Sequence, residues 1–411
     1  MIFILIAIIL LVLLNKVFDI KNLFNPFVFF FIYNTVFLFI ALSYREIYPI
    51  EISNEVITLI TSSYCLTFIG AIISRFFFQS IGVNYAGLHD ISPKEESKGL
   101  FFFSSLLIYS IGVICYLYFI YKSGGIIIFG EDVENARISQ RKGLGLVTLL
   151  YISFMIYGYL GMLLSKIKLF NIIKIPLFAF TVFALISYGS RAPALKLILG
   201  IFILGIILKI KKGHIIKIKK FVTPFIIILL LIVILGALRK GVPNSELFDL
   251  ALARAGWRPF VNIQNFQKIF EFFPSKHDFL YGYSMIVDLK LFLPGSNLNF
   301  GTLLKEIMNW KFEGGSITPS YIGLGYLNFG ITGVFVYALL YGFILNFIYE
   351  MILILCKKNN FTILFLFLLS IGMAGAVSTG LLGVLINNVM FLVFILLVHL
   401  VLYHLLKVIL K

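Results

Sequence analysis

Residues 193–240 read PALKLILGIFILGIILKIKKGHIIKIKKFVTPFIIILLLIVILGALRK. Two apolar runs flank a gap that holds Lys209, Lys211, Lys212, Lys217, Lys219 and Lys220 and no acid. Each run approaches the roughly 20 apolar residues that a helix needs to cross a hydrocarbon core. The lysines between them mark a short loop kept on the cytoplasmic side.

The same alternation fills the chain. Of its 411 residues 61% are hydrophobic and 13% charged, with a mean hydropathy of +1.04, against about a quarter charged in a soluble domain. Spans are expected at 2–18, 26–43, 56–77, 100–121, 144–165, 172–189, 193–210, 221–238, 319–349, 361–378 and 381–406. The fold class is therefore all-α, a polytopic integral membrane protein of about eleven transmembrane helices. Three regions follow: helices one to eight over 1–238, a large extracytoplasmic loop over 239–318 as the expected active-site element, and helices nine to eleven over 319–411. Met1–Leu14 has no basic residue before it and no small-residue cleavage site after it, and is expected to be a retained helix.

Counting alternately from the lysine gap places Lys16, Lys21, Lys166, Lys168, Lys174, Lys357, Lys358, Lys407 and Lys411 on the cytoplasmic side as well. The inside gaps then carry +13 and the outside gaps +3, which together return the formal +16 of the chain. This orientation puts the amino terminus out, the carboxyl terminus in, and the long loop on the outer face, where a substrate must arrive already activated. The basic residues lie in short gaps rather than on one face, a topology signal and not a nucleic-acid footprint. Cys65, Cys115 and Cys356 sit in or beside apolar runs and form no disulfide or metal-ligand pattern.

Phosphate-loop, H-E-x-x-H, G-x-S-x-G and D-x-D motifs do not occur. What remains is a set of outward arginines beside aromatic residues and carboxylates. Tyr188-Gly189-Ser190-Arg191-Ala192-Pro193 is a tight turn whose following helix start, with Arg191, makes an anion pocket; the other reading is a guanidinium that reaches to lipid headgroups. Arg239 and Lys240 close the eighth span on the same face. Arg254 and Arg258 follow four apart, on one side of a helix that persists through Gly256 and ends at Pro259. These cations either converge on one substrate or bind anionic lipid. Trp257, Trp310, Tyr281 and Tyr283 either stack on sugar rings or form an interfacial aromatic belt.

The loop after the fourth span carries Glu131, Asp132, Glu134, Arg137 and Arg141, a substrate-contacting or merely solvated charge run. His277, beside Asp278, is the one histidine of five in an outer loop and a candidate proton carrier. Gly314-Gly315-Ser316-Ile317-Thr318-Pro319-Ser320-Tyr321 re-enters the membrane, and Gly323, Gly325, Gly330 and Gly333 follow at spacings suited to close helix packing or to a substrate groove.

In order and topology these features resemble the bacterial O-antigen and capsule repeat-unit polymerases, over nearly the whole chain. The resemblance rests on the Gly124-Gly125 loop with Arg137, the Gly189-Ser190-Arg191 turn, the late loop with its arginines, and Gly315…Pro319-Ser320…Tyr326-Leu327-Asn328-Phe329-Gly330. It implies a metal-independent glycosyltransferase without cofactor, in the cytoplasmic membrane, working on undecaprenyl-type polyprenyl-diphosphate oligosaccharides as donor and acceptor, with a chain-length regulator protein as partner. Arg191, Arg239, Arg254 and Arg258 would stabilise the diphosphate leaving group, with Glu131, Glu134, His277 or Asp278 as base. Arg137, Arg141, Trp257, Tyr281 and Tyr321 would contact substrate. Two alternatives stay open on sequence: a ligase that transfers finished glycan to a lipid A core, and a flippase for lipid-linked sugar. A flippase should show paired halves with broken helices near the bilayer midplane, whereas this sequence shows no internal repeat and few charged residues in mid-span.

Overall fold

In lipid a backbone must satisfy its own hydrogen bonds, and among the described residues it does so as helices, with no strand. The computed structural model describes residues 2–18, 25–43, 51–81, 97–127, 144–187, 189, 192–210, 247–290, 300–311, 317–355, 359–375 and 391–409. In chain order the helices are α1 (Ile2–Phe18), α2 (Pro26–Ser43), α3 (Asn54–Ser80), α4 (Lys98–Ser123), α5 (Gly145–Ser165), α6 (Lys168–Ile186), α7 (Ala192–Ile210), α8 (Leu247–Phe272), α9 (Tyr283–Lys290), α10 (Phe300–Ile307), α11 (Ser320–Leu355), α12 (Asn360–Ala374) and α13 (Phe391–Ile409).

Ten of the eleven expected spans fall on these helices, the ninth with a break and the eleventh only from 391 on, its first residues lying with the whole of the eighth, 221–238, outside the described residues. Among the described residues six helices are long and apolar enough to cross a membrane: α2, α3, α4, α5, α11 and α13. The chain is a polytopic membrane protein. It divides into two compact units, one built from 1–90, 248–356 and 369–391, the other from 91–247, 357–368 and 392–411.

In the first unit α3 and α11 pack backbone to backbone. A methyl group added at Gly70 would lie 2.0 Å from the Leu339 carbonyl oxygen, and one at Gly342 would lie 1.8 Å from that of Thr67. Small residues permit this approach, which in lipid supplies dispersion contact without a hydrophobic driving force. Aromatic rings fill the space beside it: Phe31 stacks on Tyr64 at 4.4 Å, Phe30 meets Tyr341 edge-on at 4.7 Å, and Tyr321 stacks on Tyr341 at 5.2 Å. At the start of α2, Asn25 accepts from the Phe27 N–H at 2.9 Å and donates to Asn346 at 3.0 Å, while Asn346 donates to Ser74 at 3.3 Å. Arg75 donates to the Val17 carbonyl, lies 5.4 Å from the Phe18 ring and attracts the buried Glu350. This polar bolt ties α1, α2, α3 and α11 together at one end.

The second unit pairs α4 with α5 in the same manner. A methyl at Gly158 would meet the Tyr109 nitrogen at 2.7 Å, and one at Gly161 would meet the Ser105 hydroxyl at 2.5 Å. His399 of α13 is fully buried against this pair. The Ser104 hydroxyl donates to the Phe101 carbonyl at 3.1 Å, so it accepts from His399 Nε2 at 2.8 Å. The Tyr157 hydroxyl then donates to Nδ1 at 3.1 Å. The network thus assigns the Nε2–H tautomer, and Phe361 packs edge-on at 4.6 Å to close the site.

Two expectations need correction. Pro259 does not end its helix: α8 continues through it to Phe272. A proline removes one intrahelical hydrogen bond and often bends a helix, but here the residues beyond it, Phe260, Ile263, Phe266 and Ile269, are buried on one face, and that burial outweighs the lost bond. The ninth span, expected as one helix over 319–349, is broken at Phe329 (φ −141°, ψ 19°) and Gly330 (φ 62°, ψ −147°). Gly325 and Gly333 would stand about 12 Å apart along an unbroken helix. Instead a methyl at Gly333 would lie 2.0 Å from the Gly325 carbonyl oxygen. The chain therefore reverses at 329–330, and a short arm, 320–328, folds back against the start of a long arm, 331–355. The long arm alone covers about 37 Å at 1.5 Å per residue, enough to span the bilayer.

Candidate functional site

The reversal creates a problem that the neighbouring elements solve. Residues 317–319 precede the short arm without helical hydrogen bonds of their own, and the arm's last carbonyls have no following turn. Ile317 N–H donates to the Gly301 carbonyl at 3.1 Å. Asn265 of α8 donates to the Thr318 side chain at 3.3 Å, and Thr318 donates to Asn262 at 2.7 Å. Ser320 takes a positive φ of 62° and its hydroxyl accepts from the Gly323 N–H at 3.3 Å, capping the arm.

At the other end of the arm, Leu280 and Tyr281 donate their N–H groups to the carbonyls of Leu327 and Asn328 at 2.9 and 3.1 Å. The Asn328 side chain accepts from the Gly282 N–H at 3.0 Å and donates to Ser284 at 2.6 Å. Tyr326 donates to the Phe273 carbonyl at 3.1 Å. Gln267 accepts from the Ser53 N–H at 2.9 Å, which ties α8 to the start of α3. The late loop is thus anchored through α8 and the 273–284 turn on the re-entrant arm.

Two concavities open here. One, about 20 Å³, is lined by Asn34, Ile60, Asn262, Phe266, Ser320 and Tyr321 among others, room for about one water. Tyr321 is 1% exposed, with its hydroxyl accepting from Asn34 at 3.4 Å, so it belongs to the aromatic core around that pocket. The other, about 170 Å³, is a cup formed by Lys268, Glu271, Phe272, Lys276, Met308 and Trp310. Lys268 Nζ sits 4.4 Å from the centre of the Trp310 ring. His277 and Asp278 are exposed in the turn that follows, with His277 Nδ1 2.7 Å from the Asp278 carbonyl oxygen and its ring 5.5 Å from that of Phe273. Tyr281 is 73% exposed, its φ of 44° held by the bonds to Asn328 and its ring 6.5 Å from Phe329.

Of the other residues singled out in the sequence, Arg254, Trp257 and Arg258 lie on α8, and the helix persists through Gly256 as their pairing requires. Glu131, Glu134, Arg137, Arg141, Arg191 and Arg239 lie outside the described residues. Among the described residues no group of three or more His, Cys, Asp or Glu side chains could hold a metal ion. Asn262, Asn265 and Gln267, which fix α8 to its neighbours, were not read from the sequence. Their signal is a run of buried amides, Asn262, Gln264, Asn265 and Gln267, interleaved with the buried apolar Phe260, Ile263, Phe266 and Ile269.

Comparison with known proteins gives one result. No curated protein matches the chain, and no solved structure does. A family model described as "Putative O-antigen polymerase" matches residues 1–392, the helical units and the anchored late loop together. With nearly its whole length accounted for by that family, the chain belongs to the O-antigen polymerases.

Proposed function

We propose that this polymerase lengthens O-antigen by glycosyl transfer at the outer face of the cytoplasmic membrane, with polyprenyl diphosphate carriers on both substrates. Polymerisation of O-antigen repeat units follows from the family match over residues 1–392, the observation that carries the reading. A glycosyltransferase-like activity on lipid-linked oligosaccharide follows with it.

The step we envisage forms a bond between an acceptor hydroxyl of one carrier-linked repeat unit and the anomeric carbon of the growing glycan. The bond from that carbon to the donor's diphosphate breaks, its electron pair leaves with the diphosphate, and the hydroxyl proton passes to a base. Fixed cations aimed at the departing oxygen lower such a barrier by several kcal/mol, and Arg191, Arg239, Arg254 and Arg258 are the residues we assign to it. The continuity of α8 through Gly256 supports a shared role for Arg254 and Arg258, one turn apart on a helix anchored at Asn262, Asn265 and Gln267. Glu131, Glu134, His277 and Asp278 are the candidate bases; exposure of His277 and Asp278 beside the re-entrant arm supports those two. Arg137, Arg141, Trp257, Tyr281 and Tyr321 are assigned to substrate contact or to shaping its path. We assign the charge neutralisation to arginine rather than to metal, and a chain-length regulator as the partner.

Deletion of the gene in its host tests this reading. A glycan ladder that collapses to a single repeat on the lipid core supports a polymerase. Complete loss of core attachment indicates a ligase and overturns it. Extension by the purified protein in excess EDTA is the expected outcome for the metal-free step; abolition by chelator with rescue by magnesium or manganese counts against it.

A further inference from the structure

The cup beside α8 has a composition and a size that narrow what it can hold. Its wall on one side is α8 and the turn after it: Lys268, Glu271 and Phe272 fall on adjacent turns, and Lys276 stays with them because its N–H donates to the Phe272 carbonyl at 2.8 Å. The opposite wall is Met308 and Trp310. These are carried by the end of α10, where Asn309 turns the chain at a φ of 50° and the Trp310 N–H returns to the Lys305 carbonyl at 3.0 Å. The buried Phe300 and Leu304 seat α10, and the Lys268 ammonium on the Trp310 ring joins the two walls.

The groups facing this space are two ammonium donors, one carboxylate and an indole. Glu271 Oε1 accepts from Gln267 at 2.7 Å, and Gln267 is itself held by the Ser53 N–H, so the carboxylate is oriented and Oε2 remains for a ligand hydroxyl. A diphosphate would meet that carboxylate at close range, which disfavours it. An acyl chain would leave three charged groups unsolvated. A peptide helix, about 10 Å across, exceeds the space. A sugar ring suits these groups: its hydroxyls donate to a carboxylate and accept from ammonium groups, and its C–H face packs on the indole as the Lys268 ammonium swings from the ring onto a ligand hydroxyl.

We infer that the Lys268, Glu271, Lys276 and Trp310 cup is a saccharide subsite that takes one pyranose ring of the glycan. The inference rests on the O-antigen polymerase reading for its ligand, and it makes the cup a positioning element, with Trp310 as its platform, rather than part of the reacting group. It also explains why a loop helix is braced at Ser53, Thr318 and α10 together: a platform that orients glycan must not shift relative to the arm it is fixed on.

The test is saturation-transfer NMR on the full chain in nanodiscs free of sugar detergent. The probe is the single-repeat oligosaccharide released by mild acid from the host's own O-antigen, without lipid or diphosphate. Wild-type protein should transfer saturation to one ring of the probe. Trp310→Ala should weaken binding roughly tenfold or more, the loss of one stacking contact with its associated burial. Trp310→Phe should keep part of it, and Lys276→Gln, an exposed change that does not threaten folding, should weaken it measurably. Absence of transfer in wild type, or transfer unchanged in both Trp310→Ala and Lys276→Gln, overturns the subsite. Extension of lipid-linked units by the same preparation is read separately. Full extension with no saccharide contact at the cup discards the subsite and keeps the polymerase, while contact at the cup without extension does the reverse.

Discussion

Gly333→Ala is the change that most sharply probes the re-entrant hairpin. The new methyl would stand 2.0 Å from the Gly325 carbonyl oxygen, whereas ordinary contact begins at 3.4 Å, so the two arms must part by roughly 1.4 Å. Two of the three obstructing atoms, the Gly325 carbonyl oxygen and carbon, are backbone, and the third is the Phe329 Cβ, which no χ rotation moves, so side-chain rotation does not relieve the overlap. The stability cost expected of such overpacking is about 1–3 kcal/mol, which the long arm's packing against α3 can absorb. The functional cost should be larger. The short arm carries Leu327 and Asn328, which anchor the 280–284 turn, and follows directly on Thr318, which anchors α8, so the displacement passes to the late loop. A misplacement of about 1 Å at a reacting centre can cost a hundredfold in rate. The matched control is Gly323→Ala on the same arm, whose methyl would meet Pro319 and Ile269 side chains at 3.4 and 3.5 Å, ordinary contact. Both variants are purified in detergent, scored for monodispersity and thermal midpoint, and assayed for chain extension per folded molecule. Gly333→Ala should insert, melt a few degrees lower and extend glycan about a hundredfold more slowly, with Gly323→Ala close to wild type. Equal, wild-type extension in both variants would refute the claim that the hairpin positions the site.

Arg191→Lys keeps the charge and loses the planar fork, so it should lose much of the activity and Arg191→Ala nearly all, on the order of a hundredfold or more per folded molecule; wild-type extension in the alanine variant would reduce Arg191 to a headgroup anchor. His399→Ala removes the acceptor of the buried Tyr157 hydroxyl and the donor to Ser104, which should cost about 1–3 kcal/mol, read as a lower unfolding midpoint in detergent; an unchanged midpoint would show that the network is not structural. Single cysteines at Ser275 and Lys211 test orientation: an impermeant thiol reagent on intact cells should label the former and not the latter, and the reverse pattern would turn the site to the cytoplasm.

The spans were legible because lipid leaves a sequence little freedom: about 20 apolar residues must run between polar gaps, and α2, α3, α4 and α5 lie within a few residues of where composition alone puts them. The break in α11 was not legible, since Phe329 and Gly330 sit inside an unbroken apolar stretch and glycine there reads equally well as a packing residue. What distinguishes Gly330 is a positive φ, a property of the folded backbone. Pro259 misled in the opposite sense: a local rule predicted a helix end, and burial of Phe260, Ile263 and Phe266 beyond it overrode the rule. Tyr321 was read as a substrate contact at a re-entry point; the folding back of the short arm, which carries its ring onto Tyr341 and Phe30, was not legible. The cup at Trp310 joins residues more than 40 positions apart, and only the packing of α10 beside α8 brings Lys268 to the indole.

Whether this chain by itself joins repeat units is measured most directly by incubating the purified protein with synthetic polyprenyl-diphosphate repeat units and resolving the products by size. The expected product is a ladder of glycans, each rung one repeat longer than the last, still attached to the carrier lipid. Recovery of unextended repeat units from correctly folded protein, or transfer of single units to added lipid A core with no ladder, would contradict it.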